Sequence, residues 1–302
     1  MKNIFRFLFV VFYLFTTTNP LHAQWIQTNG PYGGQVYSFA VSGTNLFAGT
    51  DGGVILSTNN GTSWTAASTG LTSTDVHAFA VSGANLFAGT YSGVFLSTNN
   101  GTNWTAINSG LTHNDIRALA LSGTNLFAGT AGGGVYVSTN NGTSWTVVNT
   151  GLTNTYVYAL AVSGTNLFAG TYVGVFFSTN NGTSWRAASA GLPNTIVYGL
   201  AVSGTYLFAG TRGGGVFLST HNGTSWSVAN TGLTNIDVYA LAVSGSNLFA
   251  GTEVGVFLST NNGTSWTASS TGLTNAIVYG LAVSGTNLFA GTNGGGVFLS
   301  TN

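Results

Sequence analysis

Apolar residues come in short runs along this chain, and Gly, Asn, Ser and Thr break them every few positions. A representative stretch reads VYALAV over 157–162, then SGTN, LFAG over 167–170, a glycine-containing break, and VFFS over 175–178. Asn180-Asn181-Gly182-Thr183 follows, and then residues 185–189 and a polar GLPNT loop. Runs this short, bounded by turn residues, predict strands, and no window beyond the first residues carries a 3.6-residue helical period. The first run is nearly all apolar, which predicts a strand covered on both faces. The Asn-Gly pair predicts a tight hairpin, because both residues tolerate positive φ. Each unit therefore resolves into four strands.

The unit recurs through the chain. STNNGTSW, with small changes, occupies 57–64, 97–104, 138–145, 178–185, 219–226 and 259–266, so successive tryptophans lie 40 or 41 residues apart. A second string, SGTNLFAGT or a near copy, begins at Ser42, Ser82, Ser122, Ser163, Ser203, Ser244 and Ser284. Four short strands per repeat of this length predict propeller blades. A β-solenoid has shorter coils and no need of four turns per unit. Seven copies of the first three strands stand against six complete motifs, and the last copy stops at Ser300-Thr301-Asn302. Trp25-Ile26-Gln27 supplies the missing fourth strand. The expected fold is an all-β, seven-bladed propeller of four-stranded antiparallel blades over 24–302, closed by the N-terminal strand. A chain cut short within its last motif is the rival reading, and it predicts the same blades.

The eight-residue string resembles the Asp-box (BNR) motif, S-x-D-x-G-x-x-W, of the turn between the third and fourth strands of certain propeller blades. No copy keeps the aspartate: Asn59, Asn99, Asn140, Asn180 and Asn261 replace it in five, and His221 in the other. An amide still accepts backbone N–H bonds but carries no charge, which argues against a cation at that turn. The resemblance extends to sialidases, sortilin-type receptor ectodomains and photosystem II assembly-factor-like propellers, a range of activities that a shared fold does not narrow.

Residues 1–23 read as a secretory signal peptide. Lys2 and Arg6 precede an apolar run of nine, Phe7 to Phe15, and Leu21-His22-Ala23 offers a cleavage site. Nine apolar residues are too few to cross a bilayer, so no membrane span is expected after cleavage. The mature chain keeps Arg117, Arg186 and Arg212 against Asp51, Asp75, Asp115, Asp237 and Glu253, and has no lysine. So few cations cannot neutralise a nucleic-acid backbone. The absence of cysteine excludes disulfides and thiolate metal sites. A secreted or envelope-located monomer is expected, one without a cofactor.

Differences between blades collect in two places, the turn after the second strand and the connection between blades. Successive turns of an antiparallel blade alternate between its two ends, so both places share one face of the ring. The residue after LFAGT is Asp51, Tyr91, Ala131, Tyr172, Arg212, Glu253 and Asn293 in turn. At the start of the first strand stand Gln35, Asp75, Asp115, Tyr156, Ile196, Asp237 and Ile277. Two places later come Tyr37, His77, Arg117, Tyr158, Tyr198, Tyr239 and Tyr279, with His77 and Arg117 at a position otherwise tyrosine. Drift in exposed loops is one account of this variation. A binding face for a glycan or an extracellular or envelope protein is the other, with Asp51, Tyr91, Tyr172, Arg212, Glu253, Asp75, Asp115, Arg117 and Asp237 as candidate ligand residues. Rings would cover apolar surface and carboxylates would accept hydrogen bonds. Glu253, Asn293 and Asp51, on neighbouring blades, would form an acidic arc.

Catalysis is expected to be absent. Glycoside hydrolysis needs two converging carboxylates, which nothing in the spacing enforces, and the short turns build no deep pocket. Sialidases, by the resemblance, use three converging arginines, and Arg186 belongs to an outer strand. A sialidase-like glycoside hydrolase, or a fragment of a larger secreted enzyme, is the alternative. His77, His113 and His221 occupy non-equivalent places, so no shared metal site is expected.

Overall fold

The structure is a computed structural model that describes residues 24–30, 34–274 and 277–301; the signal peptide expected over 1–23 lies outside them. Among the described residues, seven four-stranded antiparallel sheets form the blades of a ring. Blade 1 consists of Val36–Ser42, Asn45–Thr50, Gly53–Ser57 and Thr65–Ala66, and the pattern repeats through blade 6, which begins at Val238–Ser244. Blade 7 takes Val278–Ser284, Asn287–Thr292 and Val297–Ser300 from one end of the sequence and Ile26–Gln27 from the other. Ile26 faces Leu299 and Gln27 faces Phe298 in an antiparallel pair. The expected closure is thus the observed one.

The core lies between blades rather than within them. Phe47, Val54 and Ala67 of blade 1 are buried against Val76, Leu86, Phe95 and Trp104 of blade 2, and equivalent clusters repeat around the ring. At the closure, Val36, Leu46 and Ala48 of blade 1 meet Phe289 and Val297 of blade 7. The approach is close enough to require glycine in the second strand: a Cβ on Gly129 would stand 2.6 Å from Val157 Cγ1 of the next blade.

Each tryptophan bolts its blade to the one before. The Trp104 amide donates to Thr69 O (2.9 Å) and its indole N–H to Ala67 O (2.7 Å). Trp25 makes the same pair of bonds from blade 7 to blade 6, to Thr271 O (2.8 Å) and Ser269 O (2.6 Å). Only polar groups that find partners sit well in such a seam; a backbone carbonyl supplies one to six of the indoles, and Trp64, between blades 1 and 7, donates instead to Thr28 Oγ1 at 3.0 Å.

The NNGT turns explain their own sequence. Ser178 Oγ donates to Asn180 Oδ1 and accepts from the Gly182 amide, both at 2.9 Å. Asn180 Oδ1 also accepts the Ser184 amide (2.9 Å), while Asn181 adopts φ +55°. His221 has no oxygen for that role, yet Ser219 Oγ still receives the Gly223 amide at 2.9 Å.

Two details differ from the sequence expectation. The first strand is only alternately buried, as in Val76–Ser82, because one of its faces lines the central channel instead of packing on a neighbour. The fourth strand is two residues long, Arg186–Ala187 where 185–189 was expected, because Ala188 turns inward to bond Val175 O and join the core.

A candidate binding site at the mouth of the channel

Every first strand opens with the same irregularity. Val36 pairs with Thr50 and Ser38 with Gly49, so Tyr37 is an extra residue, a β-bulge. The other six blades place His77, Arg117, Tyr158, Tyr198, Tyr239 and Tyr279 at the equivalent bulge. A bulge interrupts the alternation of a strand and re-aims the side chain it carries. Here it turns all seven toward one end of the channel, where they surround a cavity of about 420 Å³. Beneath the mouth the channel is lined by small and apolar residues, among them Ala78, Ala118, Ala159 and Gly199.

Six of the seven are aromatic, and they touch in sequence. Ring centroids are 5.8 Å apart for Tyr158 and Tyr198, 5.2 Å for Tyr198 and Tyr239, and 5.3 Å for Tyr239 and Tyr279. The series continues through Tyr279 and Tyr37 at 6.0 Å to Tyr37 and His77 at 4.7 Å. Planes of neighbours are inclined by 37° to 79°, the tilted and edge-on arrangements that aromatic quadrupoles favour. Arg117 stands at the remaining position, with Nη1 3.4 Å from His77 Nε2.

The polar groups of the mouth are tied down. Asp115 holds Arg117 in a two-pronged ion pair, Nε to Oδ1 at 2.7 Å and Nη2 to Oδ2 at 2.8 Å. Guanidinium has no acceptor to offer, so His77 Nε2 receives its hydrogen bond and stays unprotonated. Burial, reinforced by the Arg117 charge, brings the His77 pKa down to about 4. Tyr239 donates to Glu253 Oε1 (2.9 Å) and Tyr37 to Gln35 Oε1 (2.6 Å). Burial is also the main cause that raises the phenol pKa of Tyr37, Tyr158, Tyr198 and Tyr239; for Tyr239 the bond to Glu253 adds to it. These four phenols are accordingly neutral.

The residues singled out by their variation form a second, outer circle. In six blades the amide after the second strand donates to the residue that starts the first strand: Asp51 to Gln35, Tyr91 to Asp75, Ala131 to Asp115, Tyr172 to Tyr156, Arg212 to Ile196 and Asn293 to Ile277. The two variable positions are therefore paired within a blade. Tyr91 and Tyr172 lie about half open to solvent, at 58% and 50% exposure. Tyr172 and Tyr156 meet edge-on at 6.4 Å. Asp237 Oδ1 accepts the Gly213 amide at 2.9 Å. Asp51 and Glu253 stand two blades apart, each bonded within its own blade. Of the candidate residues only Arg117 belongs to the inner ring. His113 contacts Thr112 and Tyr136 on an interblade loop, and His221 sits in an NNGT-type turn, both away from His77.

In the sequence this position already reads as mostly tyrosine, with Arg117 its one candidate ligand residue, because the tyrosines themselves vary too little to be singled out. Five tyrosines in seven at one strand position were the available signal, on a strand whose other residues are aliphatic or small apart from Phe39 and Phe79.

A family model described as the DUF6242 beta-propeller domain matches residues 86–206. A search of curated proteins finds no significant match. Among solved structures, the extracellular domain of a one-component system, BT4673, from B. thetaiotaomicron is 20% identical, with a TM-score of 0.78 over 93% of this chain and 40% of that one. The GH74 xyloglucanase from Xanthomonas campestris is 19% identical, with a TM-score of 0.71 over 93% of this chain and 54% of the enzyme. YCF48 bound to D1 peptide is 14% identical, with a TM-score of 0.74 over 94% of this chain and 98% of that one. This chain thus spans about two-fifths of the BT4673 chain. At such identities the likeness is one of fold.

Proposed function

We propose that the protein is an exported, non-catalytic binding module with Asp-box-like blades, and that its ligand, a glycan or an extracellular or envelope protein, is engaged at the tyrosine-lined mouth. The observation that carries this reading is the bulge that delivers six contiguous aromatic rings and one arginine to a single concave opening. Convergent aromatic side chains around a cavity of this size are what ligand sites are built from. The outer circle, with Tyr91, Tyr172, Arg212, Asp51 and Glu253, offers adaptable contacts to whatever surrounds the inserted group.

The disposition of the carboxylates supports a role without hydrolysis. Asp115 is consumed by Arg117, Asp237 by a backbone amide and Glu253 by Tyr239. Export agrees with the signal-like leader and with a surface solubilised by Ser, Thr and Asn. The extracellular domain and the peptide-bound propeller among the structural neighbours are compatible with such a role.

The test uses the mature protein and a Tyr198→Ala/Tyr279→Ala double variant on a glycan array and against envelope extracts. Ring-dependent binding, lost at least tenfold in a variant that remains folded by circular dichroism, is the expected result. Binding that survives the double variant would move the site elsewhere. Release of sugar from aryl-glycosides by the wild-type protein would replace the reading with the hydrolase alternative.

A further inference from the structure

Resting on the reading of the mouth as the binding site, we infer that the group seated there is a quaternary ammonium, a trimethylammonium head recognised by the collar of six aromatic rings and by the negative face around it. Three independent features of the site converge on this chemistry.

The first is shape. Neighbouring centroids 4.7 to 6.0 Å apart around a seven-position ring leave a point on the channel axis roughly 6 Å from every aromatic wall. A cation at that point lies within the attraction of several rings together. Because adjacent planes are inclined by 37° to 79°, the collar has no extended flat platform on which a sugar ring would stack. A nearly spherical head with methyl groups in all directions meets tilted walls equally well.

The second is charge. Five carboxylates and two guanidiniums occupy this face, since Arg186 lies on an outer strand over Phe177. The face is therefore three charges negative. Arg117, the one cation within the collar, is cancelled by the two-pronged bond to Asp115. Glu253 and Asp75 remain beside Tyr239 and Tyr37 to attract a cation.

The third is hydrogen bonding. Tyr37 and Tyr239 spend their hydroxyl protons on Gln35 and Glu253 at the rim. Gln35 Oε1 and Glu253 Oε1 are thereby engaged as acceptors, and a quaternary ammonium, the common cation that offers no N–H, needs neither. Its weak hydration also makes desolvation in an aromatic mouth tolerable.

Calorimetric titration of the mature protein with choline, and with its uncharged isostere 3,3-dimethylbutan-1-ol, tests the inference. Saturable choline binding at least fivefold tighter than that of the neutral isostere is expected. Tyr198→Leu and Tyr279→Leu, which keep apolar bulk but remove the π face, should each weaken choline about tenfold while changing the isostere little. Glu253→Gln keeps an acceptor for Tyr239 and removes the charge; it should weaken choline two- to threefold, and added salt should erase that difference. Phosphatidylcholine vesicles form a second arm: sedimentation with vesicles, competed by choline, identifies a lipid headgroup as the source, and its absence with intact choline binding identifies a free cation. Equal affinity for choline and the isostere, or no choline binding in a folded protein, overturns the inference. In that event a glycan or protein whose binding still depends on Tyr198 and Tyr279 leaves the binding-module reading standing, whereas loss of both results removes the two together.

Discussion

At the scale of the residue, His77 has the most distinctive environment in the chain. It stands where five other blades place tyrosine, against the Tyr37 ring and within reach of Arg117. Its folded-state pKa of about 4 lies below the ordinary value of 6.5. Between these two values the unfolded chain takes up a proton that the folded protein refuses, so stability must fall as pH drops from 6.5 toward 4 and level off below. His77→Tyr, which restores the consensus of the ring, should flatten that part of the profile. Denaturant unfolding of the two proteins between pH 7 and 4 checks it, and identical slopes would mean that the folded imidazole is protonated. Asp115 belongs to the same local balance: it is the nearest opposite charge to Arg117, and without it the guanidinium would stand half-buried and unpaired at the mouth.

At the scale of the element, the tryptophan bolt to a backbone carbonyl recurs in six of the seven seams, and its worth is open to measurement. Trp266 is 4% exposed and donates to Ala229 O at 2.7 Å, while Trp25 is 2% exposed and donates to Ser269 O at 2.6 Å. Truncation of a buried aromatic of this size typically costs about 3–5 kcal/mol. Trp266→Ala and Trp25→Ala should therefore destabilise to a similar degree in chemical denaturation. A far smaller cost at Trp25 would show that the seam between blades 6 and 7 contributes less than the others. The strands, the NNGT turns and this seam were legible in the sequence because each depends on a local signature: an apolar run, an Asn-Gly pair, a fixed tryptophan. The bulge that builds the site was not legible. No residue type marks it, since Tyr, His and Arg all occupy it, and it arises where the first strand must part from the second to line the channel. Attention to variability therefore selected the outer circle, Asp51, Tyr91, Tyr172, Arg212 and Glu253, and passed over the more uniform ring inside it.

At the scale of the whole molecule, the seven bulges act together only because the ring is closed, since the collar includes Tyr37 of blade 1 and Tyr279 of blade 7 side by side. Blade 7 draws its strands from the two extremes of the sequence, with Gln27 opposite Phe298. Six blades complete themselves from contiguous chain, so they are able to form one after another as synthesis proceeds. The remaining blade has to await a meeting of distant segments, the slowest kind of contact for a polypeptide to find. A permuted chain with residues 24–30 transferred behind residue 301 would make that meeting local. Stopped-flow refolding should show its final phase accelerated several-fold, with unfolding hardly changed; an unaltered final phase would place the bottleneck elsewhere. For the natural order of the chain, the complete collar is then the last feature assembled, secured by the annealing of two residues, Ile26 and Gln27.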